Sequence, residues 1–453
     1  MILILDEYFK KYPFTGDALK IITHFPTYIK QYKFLLESQW WSKEKLEEYQ
    51  LIKLQKLLNH AYENVPYYYH LFKKHGIKPR DISSLKDIQK IPYLTKEIIR
   101  KNINKLRAKN YSRYKFEYIT TGGSTGYPLG LYFERGNAEA KYSAFIQRML
   151  NQSSCHLSNK HAYLINEDEI YRHHIFGKIL SLSSFHLDEK NLHLYVKKLR
   201  KHKPKFIVAF PSALFQVAQF IEKNNIDCFS SLKAIFCSGE TIYDWQRNKI
   251  EKTFNCRVHA FYSHNEQTVF ATTCNHSNNY HISPEFGITE VIDQDGKSVT
   301  KENDVGEIVG TGFINFIFPL IRYKTQDKGV ITLKKCRCGR DYPILKEIEG
   351  RMFEVMITKT NRYIPLTGFY GLIAKCSKNV IDWQLIQERE GELIIKIIKG
   401  KYFSNKDEQM IKNSLKNKFS KEIDFEIQYT NHIKLAPSGK KSFLIQKLSY
   451  NND

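Results

Sequence analysis

The sequence predicts an α/β protein. A large N-terminal domain starts helical and continues as mixed sheets with crossover helices, and a small α+β C-terminal lid domain follows it. Three observations carry this. Apolar side chains recur at helical spacing through the first hundred residues. Beyond Lys205 short apolar strands alternate with helices, and beyond Gly350 a hairpin, a helix and a strand follow one another. The boundaries expected are 1–110 for the helical part, 111–349 for the core and 350–453 for the lid.

Element by element, Ser42 is a helix cap, and Leu51, Leu54, Leu58 and Ala61 form an amphipathic stripe behind it. That helix should stop near Val65, because the proline at 66 disfavours helical geometry in the residue before it. Two short helices then flank an Ile91-Pro92 break, the second capped by Thr95. Further on, KFIVAF is a strand and Pro211-Ser212 open a helix with Leu214, Val217, Ala218 and Ile221 on one face. LKAIFCSGE holds a second strand, Asp244 to Phe254 a helix and RVHAFY a third strand. Such alternation implies parallel sheet, whose ligands bind at the carboxyl ends of the strands. In the C-terminal part a hairpin should turn at Glu390-Gly391, followed by a helix from Asn405 to Ser420 and the strand IDFEIQY.

With 453 residues, 42% hydrophobic, the chain can bury a sizeable core. No run approaches the roughly 18 apolar residues of a membrane span, and the N-terminus has no signal-peptide pattern, so a cytosolic protein is expected. The net charge of +23 is spread along the chain without a block of like charges, which reads as solvated surface and leads us to expect no nucleic-acid partner. Eight cysteines in this length are no disulfide scaffold.

The stretch TTGGSTGYPLG, Thr120 to Gly130, interleaves glycines with hydroxyl residues as phosphate-cradling loops do, but has no Walker lysine. Strands are expected on both sides, Tyr114 to Ile119 and LGLYFE, so the loop closes a hairpin and does not open a helix. Its backbone N–H groups and the Ser124 and Thr125 hydroxyls can wrap a polyphosphate. Glu266, closing YSHNE at a strand's carboxyl end, suits Mg²⁺ beside phosphates. PLIRYKTQD sets Arg322 ahead of Asp327, and KLAPSGKKSFLIQK sets Lys440 in a Ser-Gly-Lys turn.

In this order the motifs resemble the adenylate-forming (acyl-CoA synthetase, AMP-binding) superfamily, in particular its phenylacetate–CoA ligase branch and the related capsular-polysaccharide biosynthesis proteins. TTGGSTGYP is similar to the phosphate loop, FCSGE and YSHNE to the adenine and magnesium segments, and IRYKTQD to the ribose-binding RYRTGD. EGRMFE stands at the hinge and SGK at the catalytic lysine. The resemblance implies that residues 111–349 are the AMP-binding core and that an acyl-adenylate forms from ATP and a carboxylic acid, then passes to coenzyme A or another acceptor. It places Lys440, Glu266 and Thr125 in catalysis. It places Thr121, Gly122, Gly123, Ser124, Thr125, Gly126, Gly239, Glu240, Tyr262, Asp327, Arg322 and Arg351 around ATP or AMP, with Asp327 on the ribose and Glu266 on Mg²⁺. Phe210, Pro211, Ser212 and Tyr262 are candidates for the acyl pocket that serve equally well as core. The chain departs from the pattern at Ser263, Asn265, Gln326 and Glu354, and these departures favour a second reading, a degenerate adenylation fold kept as a scaffold.

Cys274 with His276 or His281, followed by the pair Cys336 and Cys338, offers a Cys₃His set suited to structural Zn²⁺. His276 is nearer to Cys274, but this branch carries its histidine just ahead of an Ile-x-Pro-Glu segment, and HISPE fits His281. The cluster is expected to pin the segment between the magnesium and ribose motifs. Taken with the charge, it also raises a third reading, a zinc-containing nucleic-acid-binding protein, which leaves the ATP motifs unexplained.

Overall fold

The computed structural model describes residues 16–120, 129–165, 167, 169–174, 177–226, 229–240, 242, 244–349, 355–360, 362–365, 373, 379–419, 422–433 and 444–448. They fall into two compact units. The first draws on 16–120, 129–158 and 259–349, the second on 159–258 and 355–448.

In the first unit the helix Lys43–Asn64 begins where Ser42 accepts a hydrogen bond from the Lys45 amide and ends at an extended Val65, whose successor Pro66 opens the helix Pro66–Lys74. Leu46, Leu54, Leu57, Leu58 and Ala61 are its buried face. A 3-10 turn, Leu85–Lys90, precedes the break, and Thr95 caps the helix Lys96–Asn102 by accepting from the Ile98 amide. Strands β1 (Phe116–Thr120) and β2 (Gly130–Glu134) pair antiparallel, Thr120 opposite Gly130, so a strand lies on each side of the glycine-rich stretch, as expected. The helix Asn137–Asn151 follows.

The unit's main sheet runs in the order β11 (Gly287–Ile292), β12 (Val305–Gly312), β13 (Tyr323–Thr332), β14 (Ile344–Glu349), β10 (Ser277–Ile282), β9 (Phe270–Cys274), β8 (Arg257–Ser263). These strands pair antiparallel, and Val269, Ala271, Ile282, Val291, Ile308, Leu345 and Ile348 fill one core.

The second unit carries the expected parallel sheet, ordered β7 (Ala234–Cys237), β6 (Phe206–Ala209), β3 (His161–Ile165), β5 (Ile179–Ser183), with β4 (Tyr171–His174) antiparallel at the edge. β6 and β7, FIVA and AIFC, read as unbroken apolar runs because helices cover such sheets. Helix Pro211–Lys223 buries Leu214, Val217, Ala218 and Ile221 against this sheet at 0–2% exposure, each side chain contributing about 1.5–3 kcal/mol for the larger ones. The C-terminal part has β15 (Val355–Ile357) paired with β16 (Tyr363–Pro365) and a sheet ordered β19 (Asp424–Tyr429), β18 (Glu392–Lys399), β17 (Val380–Gln387), β20 (Leu444–Gln446). Helix Asn405–Phe419 covers it, packing Ile411, Leu415 and Phe419 on Trp383, Leu385, Ile395 and Ile397. Among the described residues no helix is long and apolar enough to cross a membrane.

Candidate active site and metal cluster

Thr121, Gly122, Gly123, Ser124, Thr125 and Gly126 lie outside the described residues, as do Arg351, Glu354 and Lys440. The remaining candidates are placed by three local arrangements.

The first is in the large antiparallel sheet. β13 carries a bulge facing β12: Glu307 pairs with Lys328 and Val309 with Lys324, so three residues of β13 oppose one of β12. Gln326 at its centre adopts φ +70°, the left-handed conformation that glycine enters freely and a side chain enters at about 1–2 kcal/mol. Gln326 thus holds a backbone conformation that suits glycine. Bulges re-aim side chains, and here Asp327 accepts the Tyr262 hydroxyl at 2.7 Å, while its own amide donates to Thr325 Oγ1 at 3.1 Å.

Glu266 follows β8 in a tight turn and is held at both oxygens. Tyr323 O–H donates to Oε1 at 2.8 Å, and His264 Nδ1 lies 3.2 Å from Oε2. Burial alone would raise this carboxyl, but the His264 hydrogen bond, the charge of Lys96 and the Tyr323 hydroxyl together hold it well below the usual carboxylate range. Glu266 is therefore ionised. Lys96 itself is buried at 9% exposure, and the Leu94 backbone exchanges hydrogen bonds of 2.9 Å with Arg322 O and the Lys324 amide, which sets this segment beside Tyr323.

Arg322 departs from its expected part. Its Nε and Nη2 bind Glu290 at 3.0 and 2.8 Å, Nη2 also donates to Tyr93 Oη at 2.8 Å, and Nη1 donates to the Gln89 and Ile91 carbonyls at 3.0 and 2.7 Å. All five N–H donors of the guanidinium are thereby used, at 3% exposure. No donor remains for a phosphate, so the geometry makes Arg322 a structural tie and corrects the expected contact.

The second arrangement lies at the carboxyl ends of β6 and β7. Helix Pro211–Lys223 has no side-chain cap from its own N-cap residue, Phe210. Glu240 supplies it: Ser212 N–H donates to Oε2 and Ser212 Oγ to Oε1, both at 3.0 Å. Burial pushes the Glu240 carboxyl up to about 7, with the two Ser212 donors pulling the other way. The carboxylate is thus committed to the helix, and what this turn offers a ligand is backbone. Gly239 is needed here for two reasons, its φ of +85° and Phe210, whose ring would lie 2.6 Å from an added Cβ. Ser212 is buried in the helix's first turn; Phe210 packs on the sheet core.

The third arrangement is the cysteine cluster. β9 and β10 form a hairpin that brings Cys274 and His281 together, and the loop between β13 and β14 adds Cys336 and Cys338. Their donor atoms all lie within 4.8 Å of one another. Cys274 Sγ is 3.6 Å from Cys336 Sγ, and Cys338 Sγ is 3.4 Å from His281 Nε2. A tetrahedral zinc with bonds of about 2.3 Å to sulfur and 2.0 Å to nitrogen spaces its ligands by roughly 3.5–3.8 Å. The donor set fits that ion. His276 is not in the set; its backbone amide donates to Cys274 Sγ at 3.3 Å. Burial, followed by Arg340, lowers His281 to about 4, keeping the neutral imidazole a metal needs. The cluster joins the β9–β10 hairpin, which lies between Glu266 and Arg322 in the chain, to a loop beyond Asp327.

Beside it is a buried network the sequence reading missed. Glu285 Oε1 accepts Ser38 Oγ at 2.7 Å and Tyr342 Oη at 2.5 Å, and Arg148 reaches Tyr342 Oη at 2.5 Å and Ser283 Oγ at 2.6 Å. His264, Tyr323 and Lys96 were missed as well. Tyr323 and His264 sit inside motifs that were singled out, so their places in IRYKTQD and YSHNE were the available signal.

A family model described as the CapK C-terminal domain matches residues 356–447. The chain is 26% identical over 415 residues to Protein CapK of Staphylococcus aureus, covering 89% of this chain and 90% of that protein. It is 22% identical over 400 residues to a phenylacetate-coenzyme A ligase of Thermus thermophilus, 85% of each. Among solved structures, 2-hydroxyisobutyryl-CoA ligase in complex with 2-HIB-AMP and CoA aligns at a TM-score of 0.66 and 17% identity, over 90% of this chain and 91% of that one. The fold is the adenylate-forming fold with its C-terminal domain, and the chain's homologues are CapK and phenylacetate-CoA ligases.

Proposed function

From its kinship with CapK and the phenylacetate-CoA ligases, we propose that this chain is an AMP-forming carboxylate ligase. The observation that carries the reading is the joint fixation of two carboxylates from separate motifs. Glu266 is ionised and held at both oxygens, and Asp327 is aimed by a bulge and held by Tyr262.

In the first half-reaction an oxygen of the substrate carboxylate bonds to the α-phosphorus of ATP, the bond from that phosphorus to the bridging oxygen breaks, and pyrophosphate leaves with the electron pair. The nucleophile is already ionised at neutral pH, so no strong base is required. Charge must instead be stabilised at phosphorus. Mg²⁺ supplies part of that when bound, with Glu266 as its protein ligand. Asp327 accepts hydrogen bonds from the ribose hydroxyls, and the Gly239-Glu240 backbone borders the adenine. Thr121 to Gly126 cradle the phosphates, with Thr125 among the catalytic groups, Lys440 brings the cation and Arg351 a further contact. A thiol, coenzyme A in this reading, then attacks the acyl carbon and AMP departs. Cys274, His281, Cys336 and Cys338 would hold a structural zinc that takes no part in these steps. In this reading residues 350–453 form the lid, and the protein is cytoplasmic. A place in surface-polysaccharide biosynthesis belongs to the same proposal and rests on the resemblance to CapK-type proteins.

The deciding experiment is pyrophosphate and AMP release from Mg·ATP with a panel of carboxylic acids, with and without coenzyme A. Acid-dependent pyrophosphate release is expected, and Lys440→Ala should cut it by on the order of 10²-fold or more at an unchanged melting temperature. Nucleotide binding without release under any acid would give the scaffold reading instead.

A further inference from the structure

We propose that His264, locked by Thr268, is a positioning residue for Glu266, fixing the plane in which that carboxylate meets the magnesium of Mg·ATP. The inference rests on the ligase reading and adds to it a residue that the reading does not use.

The chain reverses between β8 and β9 in a turn closed by the Gln267 amide donating to His264 O at 3.0 Å, with Gln267 at φ +54°. This turn folds the His264 ring onto Glu266, two residues on. The carboxylate is then gripped from two elements, by His264 Nδ1 at 3.2 Å on Oε2 and by Tyr323 Oη at 2.8 Å on Oε1. A carboxylate held at both ends cannot rotate freely about its terminal bond. Each oxygen keeps a second lone pair, so the grip orients the group without exhausting its capacity for a cation. The side chains are 14% and 9% exposed, so little solvent is present to compete for these bonds.

Thr268 holds the second nitrogen of the ring. A neutral imidazole has one donor and one acceptor. His264 Nε2 lies 3.2 Å from Thr268 Oγ1. Of the two groups facing the ring, a carboxylate and a hydroxyl, only the hydroxyl has a proton to give, so Nδ1 donates to Glu266 Oε2 and Nε2 accepts from Thr268. Thr268 is 1% exposed, and β12 comes so close at Gly310 that an added Cβ would lie 2.2 Å from Thr268 Oγ1. The hydroxyl is therefore confined. The resulting chain runs from Thr268 O–H to Nε2 and from Nδ1–H to Oε2. Outer partners of this kind set ligand orientation at metal sites.

The test compares His264→Asn, whose amide keeps a donor near the Nδ1 position, with His264→Leu, which fills the volume and donates nothing. Calorimetry on the full-length protein would follow ATP binding with Mg²⁺ and in its absence. We expect His264→Leu to weaken Mg·ATP binding by roughly 10-fold or more, to change metal-free ATP binding little, and His264→Asn to restore most of the loss. Thr268→Val provides a second route should the leucine variant fail to fold, and the same selective weakening is expected. Independently of any ligand, ring-nitrogen chemical shifts of ¹⁵N-histidine-labelled protein, assigned by the signal lost in His264→Asn, should show the Nδ1–H tautomer. Normal Mg·ATP binding by both His264→Leu and Thr268→Val, or an Nε2–H tautomer, would overturn the proposal and leave the ligase reading standing. A wild-type protein that binds no Mg·ATP would overturn both.

Discussion

Tyr262, near the end of β8, donates its hydroxyl hydrogen to Asp327 at 2.7 Å, joining the strand that leads to Glu266 to the bulge that carries Asp327. Tyr262→Phe removes that donor and leaves the ring. A hydrogen bond to a charged group contributes about 1.5–3 kcal/mol, part of which water replaces at this half-buried carboxylate. The expected result is a rise of about 5- to 20-fold in KM for ATP with a smaller change in kcat, measured by pyrophosphate release.

Arg322 gives the opposite signature. Removing one partner of a buried, fully bonded pair leaves the other charge unpaired at a cost of about 3–5 kcal/mol. Arg322→Ala should therefore lower the urea midpoint strongly, and any protein that remains folded should bind ATP with near-normal affinity. A stable variant with selectively weakened ATP binding would return Arg322 to the ligand site.

Gln326→Gly should stabilise. The native φ of +70° suits glycine, and the relief of strain exceeds the added flexibility of the unfolded chain by about 0.5–1 kcal/mol. Equilibrium unfolding in urea measures this, and adenylation should persist because the bulge is kept.

The cysteine cluster predicts about one zinc per chain by elemental analysis. Chelation should lower the melting temperature before it weakens ATP binding. Cys336→Ser and His281→Ala should lose the metal, and His276→Ala should retain it.

Glu240 predicts a pH dependence of stability. Its folded-state carboxyl is raised to about 7 by burial, above the value of about 4.3 in an unfolded chain. The native state thus holds the extra proton, and stability from this group is present below about pH 4 and lost as pH rises through 7. Glu240→Gln should be less destabilised, or more stable, relative to wild type at pH 8 than at pH 5. A gap between the two proteins that does not change with pH would contradict the assignment.

Much of this was readable in the chain because local rules decided it. Ser42, Val65-Pro66 and Thr95 set helix ends by capping and sterics, and the structure has them there. The strands from 206 onward were short apolar runs between helices. β3, β4 and β5 were not read, since HAYLI, YRHH and ILSLS carry polar residues whose burial depends on their neighbours in the sheet. The ligand histidine shows the same limit. His276 is closer along the chain, but strand pairing sets His281 opposite Thr272, and so next to Cys274 in space. Arg322 looked like a ligand because its motif carries one, while its partner Glu290 lies in a strand with no distinguishing pattern. The bulge at Gln326 was masked by the substitution itself, because the glycine that announces such a bulge is absent.

The guanidinium of Arg322 reaches back 231 residues to the carbonyl of Ile91, and this has a consequence for biosynthesis. The helices of the first hundred residues belong to a unit completed only by residues 259–349, with most of the other unit's sheet encoded in between. At about 5–20 residues per second, the ribosome needs roughly 10–50 seconds to pass from Ile91 to Arg322. For that interval the helices Lys43–Asn64 and Pro66–Lys74 have each other, but the later residues that Gln50, His60 and Tyr68 bond, Gly287, Phe316 and Pro319, have not been made. The intervening sheet can form first, while the N-terminal helices wait as a client for chaperones that shield apolar surface.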